Sequence, residues 1–275
     1  MKVSELLLSS RRRLEESGYD SSLSHVRLLL EKVAGTSVHR GTMLTRTQVA
    51  QYRELEDRLL KGEPIDYVLG KRSFLGVSLK LDNRALIPRN ETEELVERVL
   101  QEFDCEGLTY ADIGTGSGAI ALAIAQARPG SLVYASDVSE AALCLAKENA
   151  CLNNLTNVRF LKGSVLNPFM GFMNQLDVIV TNPPYIMTCL IPLLPKSVRD
   201  YEPMEALDGG TDGLAFFRDM MEQLPPGKTV FMEIASYNRK GLIKLVEEKR
   251  SDYAVQFLCD NLKNLRFAVL RPATR

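Results

Sequence analysis

Apolar positions recur at two different periods along the chain, and the change of period divides it. Up to about residue 62 the spacing is helical. Val3, Leu6, Leu7 and Leu14 share one face of a first helix that Gly18 ends. Leu23, Val26, Leu29, Leu30 and Val33 form the stripe of a second, from Ser22 to Ala34. Val49, Tyr52, Leu55, Leu59 and Leu60 form that of a third. Thr45-Arg46-Thr47-Gln48 has capping-box form, and Lys61-Gly62-Glu63-Pro64 is a helix stop. These residues predict a small helical bundle.

From Ile65 onward, short apolar runs alternate with helical segments. Phe74 to Leu81 reads as a strand, with Asp82-Asn83 as a turn before Ala85-Leu86-Ile87, a hairpin linking two domains. Asn90 and Glu93 suit a capping box for a helix through about Leu100. Strands are then expected at Thr109–Ile113, Leu132–Ser136, Asn157–Leu161, Leu176–Val180 and Thr229–Ile234. Helices are expected at Ala119–Ala127, Val138–Ala150 and Arg239–Lys249, with Tyr253–Leu258 and Arg266–Leu270 as a closing hairpin. Pro192, Pro195 and Pro203 place residues 186 to 213 in a long loop, read as a flap over the substrate. The pattern predicts an α/β chain divided at 1–64 (bundle), 65–88 (hairpin linker) and 89–275 (sheet domain).

At 275 residues, with 45% hydrophobic and 25% charged residues, the chain has ample material for a core. A net charge of −1 gives no global attraction to nucleic acid or an anionic membrane. No apolar stretch spans a bilayer, and Leu6-Leu7-Leu8 is too short for a signal-peptide core. The five cysteines lack C-x-x-C spacing and there are two histidines, which favours neither a zinc site nor a disulfide framework. They are expected to be reduced and mostly buried, in a cytoplasmic protein.

Chemistry enters at two strand ends. Gly114-Thr115-Gly116-Ser117-Gly118 lies between strand and helix, where a glycine turn lets a ligand approach the backbone. Asp137 ends the next strand, placed to accept both hydroxyls of a ribose, and Ser164-Val165 falls where the adenine would rest. Asp112 immediately precedes the turn. A carboxylate there repels a pyrophosphate but attracts an ammonium group, directly or through water, so the pattern favours S-adenosylmethionine over NAD. The second strand end carries Thr181-Asn182-Pro183-Pro184-Tyr185. Two prolines turn the chain in an extended conformation and remove backbone donors. A planar NH2 group could donate to the Asn182 side-chain oxygen and the Pro183 carbonyl, with the Tyr185 ring on one flank. Alone, this stretch reads equally as a stiffened loop. Glu233 could be structural or could line the site, and the structural reading is favoured.

With these residues assembled, the chain resembles the protein-(glutamine-N5) methyltransferases that modify peptide-chain release factors. The resemblance runs through the N-terminal bundle, Tyr67-Val68-Leu69-Gly70, Leu86 to Glu93, Asp112 to Gly118, Asn182 to Tyr185, and Glu202-Pro203 through Gly210 with Asp212-Gly213. It implies a class I, Rossmann-like methyltransferase fold, mostly parallel with an antiparallel last strand. It also implies S-adenosylmethionine on Gly114 to Gly118 and Asp137, with S-adenosylhomocysteine as product and no metal. Asn182 to Tyr185 would hold the glutamine of a Gly-Gly-Gln motif. Arg89 and Glu91, in the most specific segment, are assigned to the substrate side, and the bundle to release-factor docking by a monomer. The sequence departs from the family pattern at Asn90 (proline), Ser164 (an acid), Ala235 (glycine) and Asn264 (glycine). A rival reading, methylation of adenine N6 or guanine N2, uses the same clamp. Near-neutral charge and the lack of a Lys/Arg-rich module argue against direct nucleic-acid binding. A fold kept only as a binding module is the third reading.

Overall fold

A computed structural model of the chain describes residues 1–17 and 23–273. Gly18 and Ser22, expected at helix ends, lie outside the described residues. The elements run α1 (Val3–Ser17), α2 (Leu23–Ala34), α3 (Arg46–Leu60), α4 (Ile65–Leu69), β1 (Lys71–Phe74), β2 (Val77–Lys80) and α5 (Asn90–Glu102). Next come β3 (Thr109–Ile113), α6 (Ala119–Ala127), β4 (Leu132–Asp137), α7 (Glu140–Leu152), β5 (Val158–Lys162) and β6 (Val178–Thr181). Then follow α8 (Lys196–Arg199), α9 (Ala215–Gln223), β7 (Thr229–Glu233), α10 (Arg239–Lys249), β8 (Tyr253–Cys259) and β9 (Leu265–Pro272). The chain divides into two units: Met1–Lys71 with Pro195–Tyr201, and Arg72–Leu194 with Glu202–Arg275.

In the helical unit, the predicted stripes converge on one core that includes Leu6, Leu29, Leu30, Tyr52 and Leu59. The capping box of α3 forms as expected: Gln48 N donates to Thr45 Oγ1 and Thr45 N to Gln48 Oε1. A buried polar knot pins α1 to α3. Tyr52 Oη shares a hydrogen bond with Ser10 and donates to Glu56, whose buried carboxylate also pairs with Arg13 and Arg53. Two features were not anticipated. One is α4, a single turn closed by Gly70 in the left-handed region (φ 69°). The other is the contribution of Pro195–Tyr201, which carries α8; Tyr201 Oη donates to the Lys61 carbonyl at 3.0 Å.

The second unit is built on a seven-stranded sheet, counted among the described residues, in the order β5-β4-β3-β6-β7-β9-β8. Strands β3 to β7 pair in parallel, while β9 runs antiparallel to both β7 and β8. The period of two in β3 sorts its side chains. Ala111 and Ile113 join the cluster containing Phe217 and Met221 of α9 and Leu242 and Val246 of α10. Asp112 points oppositely, to the N-terminus of α6. Strand order reverses between β3 and β6, and the crevice at such a switch point is where open α/β sheets take ligands.

The linking hairpin exists with a different turn. Strands β1 and β2 pair with each other, and the reversal falls at Leu75-Gly76, not at Asp82-Asn83. Leu75 (φ 45°) and Gly76 (φ 84°) both take positive φ, as a tight two-residue hairpin requires. Leucine is a poor advertisement for such a turn. Asp82 instead accepts from the Arg84 backbone and guanidinium. The α5 capping box is also absent: Arg89 is the N-cap without a side-chain bond, and Asn90 Oδ1 accepts from Arg72 at 2.6 Å. The 186–213 stretch is ordered into short turns and α8. All five cysteines are exposed, correcting the expectation of burial; Cys144 and Cys151 lie on the outward stripe of α7 with Lys147 and Glu148. No helix among the described residues is long and apolar enough to cross a membrane.

Candidate active site

At the sheet's switch point lies a cavity of about 290 Å³, bounded entirely by residues of the second unit. Its floor is the turn after β3. Gly114, Gly116 and Gly118 all take positive φ, which L side chains resist. The Gly114 and Thr115 amides donate to the Ser136 carbonyl, at 2.9 Å each, tying the turn to β4. Gly118 permits close packing as well, since a Cβ there would meet Leu122 at 3.1 Å and Ala146 at 3.2 Å.

Two acids hold this turn differently. Asp137 lines the cavity, accepting the Gly116 amide on Oδ2 (2.8 Å) and the Ser139 amide on Oδ1 (2.9 Å). Burial raises its pKa against those backbone donors. Its oxygens keep lone pairs for hydroxyl donors. Asp112, which the sequence suggested could reach an ammonium group directly or through water, lies behind the turn, fully buried and outside the cavity wall. Its Oδ2 accepts from Thr115 Oγ1 at 2.6 Å and from the Ala121 amide at 3.1 Å, while Oδ1 has no partner. Desolvation pushes its pKa up to about 7. Its visible work is to brace the glycine turn.

Ser164 and Val165 line the same cavity, as do Asn182 and Pro184. Val165 holds φ 50°, a strained conformation for a β-branched residue. The next amide, Leu166 N, is anchored on Gln223 Oε1 of α9 at 2.9 Å. Glu205, Asp208 and Asp219 add three acids to an otherwise largely apolar wall, and Arg84 adds a cation.

At the β6 tip, Asn182 Nδ2 donates to Thr92 Oγ1 (3.1 Å), and Thr92 Oγ1 donates to Glu233 Oε2 (2.7 Å). Tyr185 Oη donates to Glu233 Oε1 at 2.9 Å. Burial raises the Glu233 pKa against both hydroxyls and the charge of Arg266, and burial beside Glu233 raises that of Tyr185. Tyr185 and Pro183 stand outside the cavity wall. The Tyr185 backbone is closely covered: a Cβ on Gly209 would lie 2.8 Å from Tyr185 Cα, and one on Gly213 would lie 2.4 Å from the Tyr185 carbonyl oxygen.

Arg89 and Glu91 also stay outside the wall. The Arg89 guanidinium pairs with Glu202 Oε1 at 2.6 Å, and Glu202 Oε2 accepts the Ile87 amide at 3.1 Å. This buried glutamate joins two segments, Leu86-Pro88 and Pro203-Ala206, that both contribute residues to the cavity wall. Thr92, Glu233 and Glu202 were not assigned to the site from sequence. Their partners are remote in the chain, which leaves no local signal.

Known proteins match this chain. The chain fits the family model "Methyltransferase small domain" over residues 91–188 and "PrmC N-terminal domain" over residues 5–70. It is 39% identical over 249 residues to the release factor glutamine methyltransferase of Moorella thermoacetica, covering 86% of each chain. To the Streptococcus pneumoniae protein of the same name it is 36% identical over 278 residues, covering 98% of each. The catalytic domain of hMettl16, solved with a MAT2A 3′UTR hairpin, superposes with TM-score 0.56 at 18% identity, over 73% of this chain and 77% of that one. That likeness shows the fold alone, the class I S-adenosylmethionine-dependent methyltransferase fold. The chain is a methyltransferase and belongs to the release factor glutamine methyltransferase family.

Proposed function

We propose that this enzyme transfers a methyl group from S-adenosylmethionine to the side-chain N5 of the glutamine in the Gly-Gly-Gln motif of a peptide-chain release factor. The names of its relatives support the release factor as substrate. The observation that carries the chemistry is the Asn182 amide. It stands on the cavity wall with its NH2 engaged by Thr92, which leaves its oxygen as the acceptor. The residues 1–64 are proposed to dock the release factor, and the cytoplasm, where release factors work, is the proposed location.

The cavity suits the methyl donor. The glycine turn admits a ligand close to the backbone, Asp137 can accept the hydroxyls of a ribose, and Glu205, Asp208 and Asp219 favour a cation over an anion. S-adenosylmethionine, when bound, supplies a methyl group already activated by its sulfonium. The protein's task is to present the nucleophile. An amide nitrogen is weakly nucleophilic because its lone pair is delocalised, so orientation is the main lever and can contribute roughly 7–11 kcal/mol. In this reading Asn182 Oδ1 and the Pro183 carbonyl accept the two N–H groups of the glutamine amide and aim the nitrogen. Both acceptors strengthen as positive charge develops there, which favours the transition state over the ground state. The cationic product then loses a proton to water, and no dedicated base is required.

Incubation with isotope-labelled S-adenosylmethionine and a purified release factor, followed by mass spectrometry, tests the proposal. The label is expected on the Gly-Gly-Gln glutamine. Asn182→Ala should abolish turnover and leave S-adenosylhomocysteine binding nearly intact. Normal turnover in that variant, or label on nucleic acid instead, overturns the reading.

A further inference from the structure

We propose that Thr92 and Glu233 are positioning residues that decide which edge of the Asn182 amide faces the substrate. This rests on the glutamine-transfer reading and extends it to Thr92, on the cavity wall, and Glu233 behind it, which act through Asn182. An asparagine amide can be seated two ways round with little change of shape, and only one way presents an acceptor. The alternative presents an NH2 group, which would confront the N–H groups of a substrate amide.

The polarity of the chain of hydrogen bonds settles the choice. Glu233 sits at the end of β7, 2% exposed, and as a carboxylate it can only accept. Both oxygens are taken by hydroxyls: Oε1 by Tyr185 and Oε2 by Thr92. The Thr92 proton is thereby committed to Glu233, and the Thr92 oxygen is left to accept. Thr92 is itself 3% exposed in the first turn of α5, so solvent does not compete for it. The partner it needs is a donor, which the Asn182 NH2 supplies at 3.1 Å. Three elements distant in sequence, α5, β6 and β7, thus converge on one torsion. Replacing the carboxylate by an amide breaks the rule: a glutamine NH2 can donate to Thr92, whose proton is then free to turn to Asn182 and reverse it.

The test compares Glu233→Gln, Thr92→Val, Thr92→Ser and the double variant Thr92→Val/Glu233→Gln. Each is measured for kcat and KM with a release factor and for S-adenosylhomocysteine affinity by calorimetry. Glu233→Gln and Thr92→Val should each lower kcat roughly 10- to 100-fold, the size of a hydrogen bond to a charged group. KM and S-adenosylhomocysteine affinity should stay near those of the unsubstituted enzyme. The double variant should be little worse than the poorer single one, because both act through Asn182. Thr92→Ser, which keeps the hydroxyl, should recover most of what Thr92→Val loses. An unchanged kcat in either single variant overturns the proposal, as do losses that multiply in the double variant. So does an equal fall in S-adenosylhomocysteine affinity, which would mark a general structural role. Failure of the unsubstituted enzyme to label glutamine removes the function reading itself and is seen before any variant is compared.

Discussion

Asp112 and Asp137 are two carboxylates braced against one glycine turn, and their surroundings give them different consequences. Asp112 has one oxygen satisfied and the other buried without a partner. Burial raises its pKa from 3.8 to about 7. The folded state therefore holds that proton more tightly than the unfolded chain does. Stability from this group is fully present in acid, declines as pH rises from about 4 to about 7, and is flat above. Thermal or denaturant unfolding of the cofactor-free protein and Asp112→Asn at pH 5 and pH 8 checks this. The stability difference between them should shift against the native protein by about 3 kcal/mol from pH 5 to pH 8. A pH-independent difference would show that Asp112 does not titrate there. The places of Asp137, Asn182 and the glycines at the cavity were legible because each is set locally, by the end of one strand or the turn after it. Thr92 and Glu233 were not: they lie 141 residues apart, and Thr92 is hidden among the acids of a helix start.

Among the elements, the connection from β6 into residues 208 to 213 constrains the site most tightly. A parallel bridge joins Ile186 to Asp208, and the Gly209 amide donates to the Ile186 carbonyl at 2.8 Å. Gly209 therefore sits where a side chain would strike the Tyr185 backbone. Gly209→Ala should destabilise the fold by roughly 1–3 kcal/mol through overpacking. It should also lower kcat by displacing Tyr185, and a variant with normal unfolding midpoint and normal kcat would contradict this. The helices and strands with strong periodicity were readable because one face of each is buried. The β1–β2 turn was missed because Leu75 holds a conformation that its side chain does not announce. Helix α9, which begins just beyond the predicted 186–213 loop, was not anticipated although Phe217, Met220 and Met221 have helical spacing.

At the scale of the molecule, the alternation of short apolar runs with helices was enough to foresee an α/β sheet domain closed by a hairpin, while the largely parallel sheet with an antiparallel end was foreseen from the family resemblance. The net charge of −1 bears on the substrate. Proteins that grip nucleic acid through phosphates lose about 10³–10⁵ in affinity between 50 and 200 mM salt. Recognition of a release factor should weaken by less than tenfold over that range. Binding assays at both salt concentrations decide it, and a steep slope would favour a nucleic-acid substrate. The discontinuous helical unit has one more implication. Its first four helices leave the ribosome early, but Pro195–Tyr201 belongs to the same unit and is made much later. During synthesis the end of α3 therefore lacks its Tyr201 contact until most of the sheet has been translated, and nascent chains halted before Tyr201 should be more open to proteolysis near Lys61 than those released beyond it.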